Sequence, residues 1–96
     1  MLTGKQKSYL RGLMNTEKAV FQIGKDGITE NLVISVSDYL EAHEIVKFSL
    51  LKSCDAELRE IAFDLASATR SEIVQLIGRT GILYRPSKER KIHFPK

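Results

Sequence analysis

Apolar residues recur along the chain with two different periods, and these predict which segments form helices and which form strands. Spacings of three and four residues predict helices over about 4–14, 30–42 and 55–69. Short apolar runs, some alternating with polar residues, predict strands over 19–23, 45–51, 72–78 and 82–86. The order α-β-α-β-α-β-β predicts an α/β fold, a two-layer sandwich of helices on a four-stranded mixed sheet.

Polar residues at the ends of these segments support the predicted boundaries. Thr3 and Gln6 have the spacing of a capping box, so the first helix begins beside them. Thr29 is placed to cap the second helix. Pro86 ends the last strand or its pairing, because proline donates no backbone hydrogen bond.

Composition limits the classes of protein to which the chain can belong. Its 96 residues are 43% hydrophobic and 28% charged, which fits one globular domain over 1–96. The chain has no apolar run of the roughly 18 residues needed to span a membrane, and its start has no apolar signal-peptide region. Cys54 is the only cysteine, so an internal disulfide is excluded. We therefore expect a cytoplasmic protein without a membrane partner.

The net charge of +3 is unevenly distributed along the chain. Residues 1–11 carry three basic side chains and no acid, and residues 85–96 have a charge of +4, whereas residues 12–84 have a charge of −4. If the fold brings the two ends together, they form one basic face. Ile92 and Phe94 predict that the basic C-terminal tail, about 87–96, docks partly on the domain.

The segment Gly24-Lys25-Asp26-Gly27 lies between a predicted strand and a predicted helix. Glycine permits close approach of a backbone or a ligand, and the free N–H groups of a helix N-terminus favour anions. With Lys25, the loop could hold a phosphodiester backbone, as the similar G-x-x-G loop of KH domains does. Asp26 opposes this function by its negative charge. A tight strand–helix turn explains the glycines equally well.

The remaining motifs give weaker indications of a binding or catalytic site. A second glycine pair, Gly78 and Gly81, fits a β-hairpin connection with Arg79 at its tip, within reach of a phosphate. His43, His93 and Cys54 lack the spacing of metal ligands. We therefore predict no metal, no cofactor and no catalytic residues.

Three segments together resemble the CRM domain, named for chloroplast RNA splicing and ribosome maturation. They are IGKDGITENLVISVSDYLEAHEIVKFSLL, ELREIAFDLASAT and VQLIGRTGILYRPSKER. The likeness runs from about Leu2 to Lys91 and is greatest to the bacterial stand-alone form, the YhbY-type RNA-binding protein. The resemblance implies a four-stranded sheet with helices on one side, similar to the C-terminal domain of translation initiation factor three. It also implies RNA binding, with the family loop at 24–27, and association with precursors of the large ribosomal subunit.

Residues and resemblance together predict a monomeric RNA-binding ribosome assembly factor that recognises ribosomal RNA by shape. The expected RNA contacts are the glycine loop and the basic side chains, namely Gly24, Lys25, Asp26, Gly27, Lys5, Lys7, Arg11, Arg79, Arg85, Lys88, Arg90 and Lys91. The alternative is a protein-interaction module. In that case, the acidic outer faces of the second and third helices would bind a basic ribosomal protein.

Overall fold

The computed structural model describes residues 2–94 and confirms the predicted order of elements. The helices are α1 (Gly4–Met14), α2 (Glu30–His43) and α3 (Leu58–Thr69). The strands are β1 (Phe21–Ile23), β2 (Ile45–Leu50), β3 (Glu72–Ile77) and β4 (Thr80–Tyr84). The predicted tail extends to 96, and its last two residues lie outside the described part of the chain.

Polar caps set the starts of the first two helices, as predicted. The Thr3 hydroxyl accepts a hydrogen bond from the Gln6 backbone N–H at 3.1 Å, and the Gln6 side chain accepts one from the Thr3 N–H at 2.9 Å. The Thr29 hydroxyl accepts from the Leu32 N–H at 3.1 Å. The predicted start of α3 at 55 was three residues early, because Glu57 has an extended backbone and takes the N-cap position.

The four strands form one mixed sheet in the order β1-β2-β4-β3. β1 and β2 are parallel and joined by α2, whereas β4 runs antiparallel to both of its neighbours. The β3–β4 connection is shorter than predicted. Gly78 has a φ of +59°, which suits glycine in a tight turn, but Gly81 already lies within β4.

The larger core lies between one face of the sheet and helices α2 and α3. Its fully or almost fully buried side chains come from β1, β2, β4, both helices and the loop after β2, and they are Ile23, Val36, Leu40, Val46, Phe48, Leu50, Cys54, Ile61, Ala62, Leu65, Ala66 and Leu83. Gly81 faces this core, since a Cβ built on it would lie 2.4 Å from the Phe48 ring.

Helix α1 packs on the other face of the sheet, which corrects the expectation that all helices lie on one side. Leu10 and Met14 of α1 are buried against residues of β2, β3 and β4, namely Ile45, Val74, Ile82 and Tyr84. The reason is that β2 and β4 place apolar side chains on both faces, and an uncovered second face would expose them to water. The sheet is thus covered by two helices on one face and by α1 with the tail on the other.

A β-bulge interrupts the pairing of β3 with β4. Ile73 pairs with Leu83 and Gln75 pairs with Ile82, so Val74 is an extra residue on β3. Because of this extra residue, Val74 and Gln75 both turn toward the α1 side, where strict alternation would have turned Gln75 into the larger core.

Among residues 2–94, none of the helices has the length and the apolar composition of a membrane span.

Candidate nucleic-acid interface

The glycine loop forms a tight turn between β1 and α2. The Gly27 N–H donates to the Gly24 carbonyl at 3.0 Å, and Gly27 has a φ of +62°. A Cβ on Gly24 would lie 3.1 Å from the Ser53 Oγ in the loop after β2. The fold therefore uses both glycines, one for its backbone conformation and one for close packing, so the pair alone does not indicate a ligand.

The two charged residues inside the loop are exposed. Lys25 and Asp26 both point into solvent, just before the N-terminus of α2. The N-terminus of the helix is capped by Thr29, as predicted. Lys25 is thus free to meet an anion beside the helix dipole, with Asp26 as a competing negative neighbour.

The basic residues of α1 lie on the side of the sheet away from α2 and α3. Lys5 and Arg11 are exposed and Lys7 is half-buried. Lys47 of β2 adds a positive charge there, and its ammonium donates to the Met14 carbonyl at 3.2 Å and the Glu17 carbonyl at 2.8 Å. These bonds neutralise the C-terminal end of α1 and tie it to the sheet.

The tail docks beside α1, as its apolar residues predicted. Ile92 and Phe94 pack against the smaller core, and the Phe94 ring meets Tyr9 and Tyr84 edge-on at centroid distances of 5.9 and 5.7 Å. Aromatic pairs in this geometry are favourable beyond their burial. The N-terminal helix and the C-terminal tail therefore do come together in space.

A buried carboxylate holds the tail in place. Glu44, at the C-terminal end of α2, is fully buried, and one of its oxygens accepts from the Ser87 N–H at 2.6 Å and the Ser87 hydroxyl at 2.7 Å. Its other oxygen accepts from the Ile92 N–H. Burial acts to raise the pKa of this carboxyl, but the hydrogen bonds from Ser87 and Ile92 outweigh it and lower the pKa below its ordinary value of 4.5.

The hydroxyl of Tyr84 lies in the same region. Burial and the nearby Glu44 carboxylate raise the pKa of Tyr84 above its ordinary value of 10.0, against an opposing effect of Arg90. Tyr84 is therefore neutral at physiological pH.

The basic residues of the tail point in different directions. Lys88 and Lys91 lie over the end of α2 near Asp38 and Glu41, and Lys91 donates to the Ala42 carbonyl at 2.7 Å. Arg90 lines a separate depression together with Gln6, Arg70 and Phe94. The acids of α2 thus offset part of the tail's charge, whereas Arg90 lies on the α1 side.

Two predicted contact residues have structural partners. The Arg79 guanidinium donates to the backbone carbonyls of Leu50, Leu51 and Cys54, which ties the β3–β4 turn to the loop after β2. The Arg85 guanidinium bonds Ser37 and the Thr69 carbonyl, and it lies 3.5 Å from the Glu41 carboxylate. Both guanidiniums join neighbouring elements of the domain.

The predicted residues form an elongated surface rather than one compact patch. The glycine loop lies at the N-terminal end of α2, whereas Glu44 and the tail lie at its C-terminal end. Because α2 has 14 residues, these two ends are about 21 Å apart. Arg11 lies toward the loop's end of the sheet, because it lines a cleft with Thr80 and Ile77 at the ends of β4 and β3. A ligand that touched every predicted residue would have to extend along the molecule.

The helices on the two faces of the sheet differ in charge. The α1 side carries the cations of α1, Lys47 and Arg90, and α1 itself has no acid, although Glu72 of β3 lies beside Arg90 on this side. On the other side, α2 has three acids and no Lys or Arg, and α3 has two acids and Arg59. One side is thus suited to polyanions and the other to basic partners.

The residues with catalytic potential are dispersed. The His43 ring lies against the Tyr39 ring at a tilt of 34°, with the ring centroids 4.2 Å apart, and Cys54 is buried in the larger core. Across residues 2–94, no group of three or more His, Cys, Asp or Glu side chains is arranged to hold a metal ion.

Sequence reasoning missed the role of Glu44. Its position directly after α2 could have indicated a special role. The residue after a helix often adopts the left-handed conformation that favours glycine, and Glu44 adopts it with a φ of 69°. A charged residue at that point, directly before a buried strand, indicates a side chain with a specific partner. Lys47 gave a similar signal as a lone cation within an apolar strand.

The chain belongs to the CRS1 / YhbY (CRM) domain family, which matches residues 2–85. It is 42% identical over 91 residues to "Probable RNA-binding protein YqeI" of Bacillus subtilis, covering 95% of each chain. It is 33% identical to an RNA-binding protein of Haemophilus influenzae, covering 99% of this chain and 96% of that one.

A solved structure shows the same fold. SAV1595 from Staphylococcus aureus, described with its solution structure as a candidate RNA-binding protein, superposes with a TM-score of 0.81. The two chains are 48% identical, and the match covers 99% of this chain and 100% of that one.

Proposed function

We propose that this protein binds RNA through the α1 side of its sheet and the exposed glycine loop. The difference in charge between the helices carries the proposal: α1 is basic, whereas α2 and α3 on the other face of the sheet are acidic, which favours contact of a polyanion with the α1 side. The names of the bacterial relatives, which refer to RNA binding, support the same class of ligand.

The phosphate backbone supplies most of the affinity in this proposal. Lys5, Lys7 and Arg11 contact phosphates on the α1 side, and Arg90 extends that surface along the tail. Lys25 contacts the backbone at the loop beside the α2 N-terminus. Each such contact releases counterions, so the affinity falls as the salt concentration rises.

We also propose that the RNA is a precursor of the large-subunit ribosomal RNA and that the protein acts in ribosome assembly. The resemblance to the YhbY-type RNA-binding protein supports this more specific role. The proposal assigns no catalytic step to any residue.

The predicted effect of Lys25→Ala tests the glycine loop. One phosphate contact is lost, so RNA affinity falls and the slope of log K against log salt decreases by about 1. Fluorescence anisotropy with a labelled ribosomal RNA fragment, at several salt concentrations, measures both quantities. Arg59→Ala is the control, because it removes one exposed positive charge from the outer face of α3, which packs on the face of the sheet away from α1 and outside the glycine loop.

The control separates a local contact from the general effect of net charge. The proposal expects Arg59→Ala to leave the salt slope unchanged. Equal slopes for the wild type and both variants would show that Lys25 does not contact the RNA backbone.

A second function is favoured by the outer face of α3. Phe63 is 65% exposed there and lies beside Glu60 and Asp64. An exposed aromatic residue among acids is suited to an apolar contact rimmed by basic residues, as a ribosomal protein would offer. Under this alternative, the protein docks on a basic protein through α3.

Phe63→Ala distinguishes this alternative from RNA binding alone. The variant is expected to keep its RNA affinity but to lose any association with preribosomal particles that survives RNase treatment. Co-sedimentation after RNase digestion measures that association. Equal RNase-resistant binding of wild type and variant would remove Phe63 from the interface.

A further inference from the structure

The α1 side of the sheet has a cleft, and Arg11 is the one predicted RNA-contact residue that lines it. It has a volume of about 300 Å³ and is formed by the last turns of α1 and by residues of β2, β3 and β4, namely Arg11, Gly12, Met14, Asn15, Lys47, Gln75, Ile77, Thr80 and Ile82. This size is at the lower end of the roughly 300–1,000 Å³ range of small-ligand pockets.

The lining of the cleft combines three kinds of group. Met14 and Ile82 are buried and form an apolar floor, and Ile77 adds an exposed apolar wall. Asn15, Gln75 and Thr80 carry amide or hydroxyl groups that both donate and accept hydrogen bonds. Arg11 and Lys47 supply positive charge, and the lining contains no Asp or Glu.

Two features of the backbone keep the cleft open and polar. The β-bulge at Val74 turns Gln75 toward α1 and into the cleft. Gly12 lies within α1, where glycine costs about 1 kcal/mol relative to alanine. A Cβ on Gly12 would meet no atom within 4 Å, so packing within the described fold does not require glycine there.

We propose that this cleft receives a single unpaired nucleotide, with its base between the apolar floor and Arg11. An unpaired base offers a flat apolar surface and a hydrogen-bonding edge, and the cleft offers a partner for each. Arg11 contacts the base plane or the adjoining phosphate. The inference rests on the proposed RNA binding and adds a site where base identity is read.

The position of the cleft relative to the glycine loop fits a single-stranded ligand. Ile23, just before the loop, pairs with Leu50, and the neighbouring Ser49 pairs with Thr80 of the cleft. The two sites thus lie at the same end of the sheet, a few strand spacings of about 4.8 Å apart. A short single strand reaches both.

Two cleft variants and a matched control test the proposal. Gly12→Leu introduces a good helix former and fills the cleft, and Gln75→Ala removes one amide. Gly4→Leu is the control, because Gly4 is also a helical glycine with open space around it but does not line the cleft. Anisotropy with a single-stranded RNA hexamer of each base composition and with a 16-base-pair RNA duplex measures the affinities.

We expect both cleft variants to bind the preferred hexamer about tenfold more weakly, the loss typical of one base contact. Binding of the duplex, whose bases stay paired, is expected to be unchanged, as is every affinity of Gly4→Leu. Amide NMR shifts of Gln75 and Thr80 on addition of the preferred hexamer would place the nucleotide in the cleft.

The outcome that would contradict nucleotide binding in the cleft differs from the outcome that would contradict RNA binding by the protein. Unchanged hexamer affinity of folded Gln75→Ala, with hexamer-induced NMR shifts confined to the loop and tail, would overturn the cleft inference and leave RNA binding intact. Absence of binding to any RNA by the wild type would overturn both.

Discussion

Replacing Gly81 by alanine is expected to destabilise the protein by about 3 kcal/mol, near the upper end of typical overpacking costs. A Cβ at this position would lie 2.4 Å from one carbon of the Phe48 ring and 2.6 Å from another. Phe48 is fully buried in the larger core and has no open space into which to move. The measurement is the free energy of unfolding in urea, followed by circular dichroism.

Gly78→Ala is the control for this prediction. Gly78 has a positive φ but no atom within 4 Å of a built Cβ, so alanine there costs only the backbone strain, about 1 kcal/mol. A Gly81→Ala variant no less stable than Gly78→Ala would show that Phe48 does not pack on Gly81. It would also put the positions of Thr80 and Ile82 in the cleft in doubt.

Replacing Glu44 by glutamine is expected to destabilise the protein by about 2–4 kcal/mol, because charge-assisted hydrogen bonds are lost and a buried donor is left without an acceptor. The carboxylate accepts from Ser87 through one oxygen and from Ile92 through the other, whereas an amide has a single acceptor oxygen. Amide hydrogen exchange at Ser87 and Ile92 should accelerate as the tail detaches. Glu57→Gln removes the same charge from an exposed N-cap that makes no side-chain capping bond, and is the control.

The same carboxyl predicts how stability depends on pH. Its folded pKa lies below the ordinary value of 4.5, so its contribution to stability is complete above that value and is lost as the pH falls through the folded pKa. The difference in unfolding free energy between wild type and Glu44→Gln should therefore be largest near neutral pH and shrink below about pH 4.5. A difference that stays constant down to acidic pH would contradict the role of the charged form.

Much of the fold followed from local patterns. The spacing of apolar residues in α2 and α3 and the caps at Thr3 and Thr29 depend on neighbours within a few residues, so the sequence carries them directly. The docking of the tail followed from apolar residues within a basic segment.

The side of the sheet taken by α1 did not follow from such patterns. Ile45 and Val46 face opposite sides of β2, and an apolar pair of this kind predicts two covered faces without identifying which helix covers each. The bulge at Val74 could not be predicted either, because an extra residue in β3 is recognisable only from the pairing of β3 with β4.

The sequence indicated which residues bring positive charge to the candidate site, but not how the fold arranges them in space. The residues at 5, 7, 11 and 25 are exposed or half-buried, as a binding role requires. Arg79 and Arg85 have the same chemistry in the sequence, yet their partners are backbone carbonyls and side chains brought close only by the fold. The cleft was missed because its polar residues come from the end of α1 and from β2, β3 and β4, which are far apart in the chain.

The most direct test of the central claim is ultraviolet crosslinking of the protein to RNA in living cells, followed by sequencing of the attached RNA. The proposal predicts reads concentrated on large-subunit ribosomal RNA, with unprocessed ends among them. It also predicts fewer crosslinks for Lys25→Ala than for Arg59→Ala. Recovery of no RNA, under conditions in which a known RNA-binding protein is crosslinked, would contradict the proposal and favour docking on a protein through Phe63.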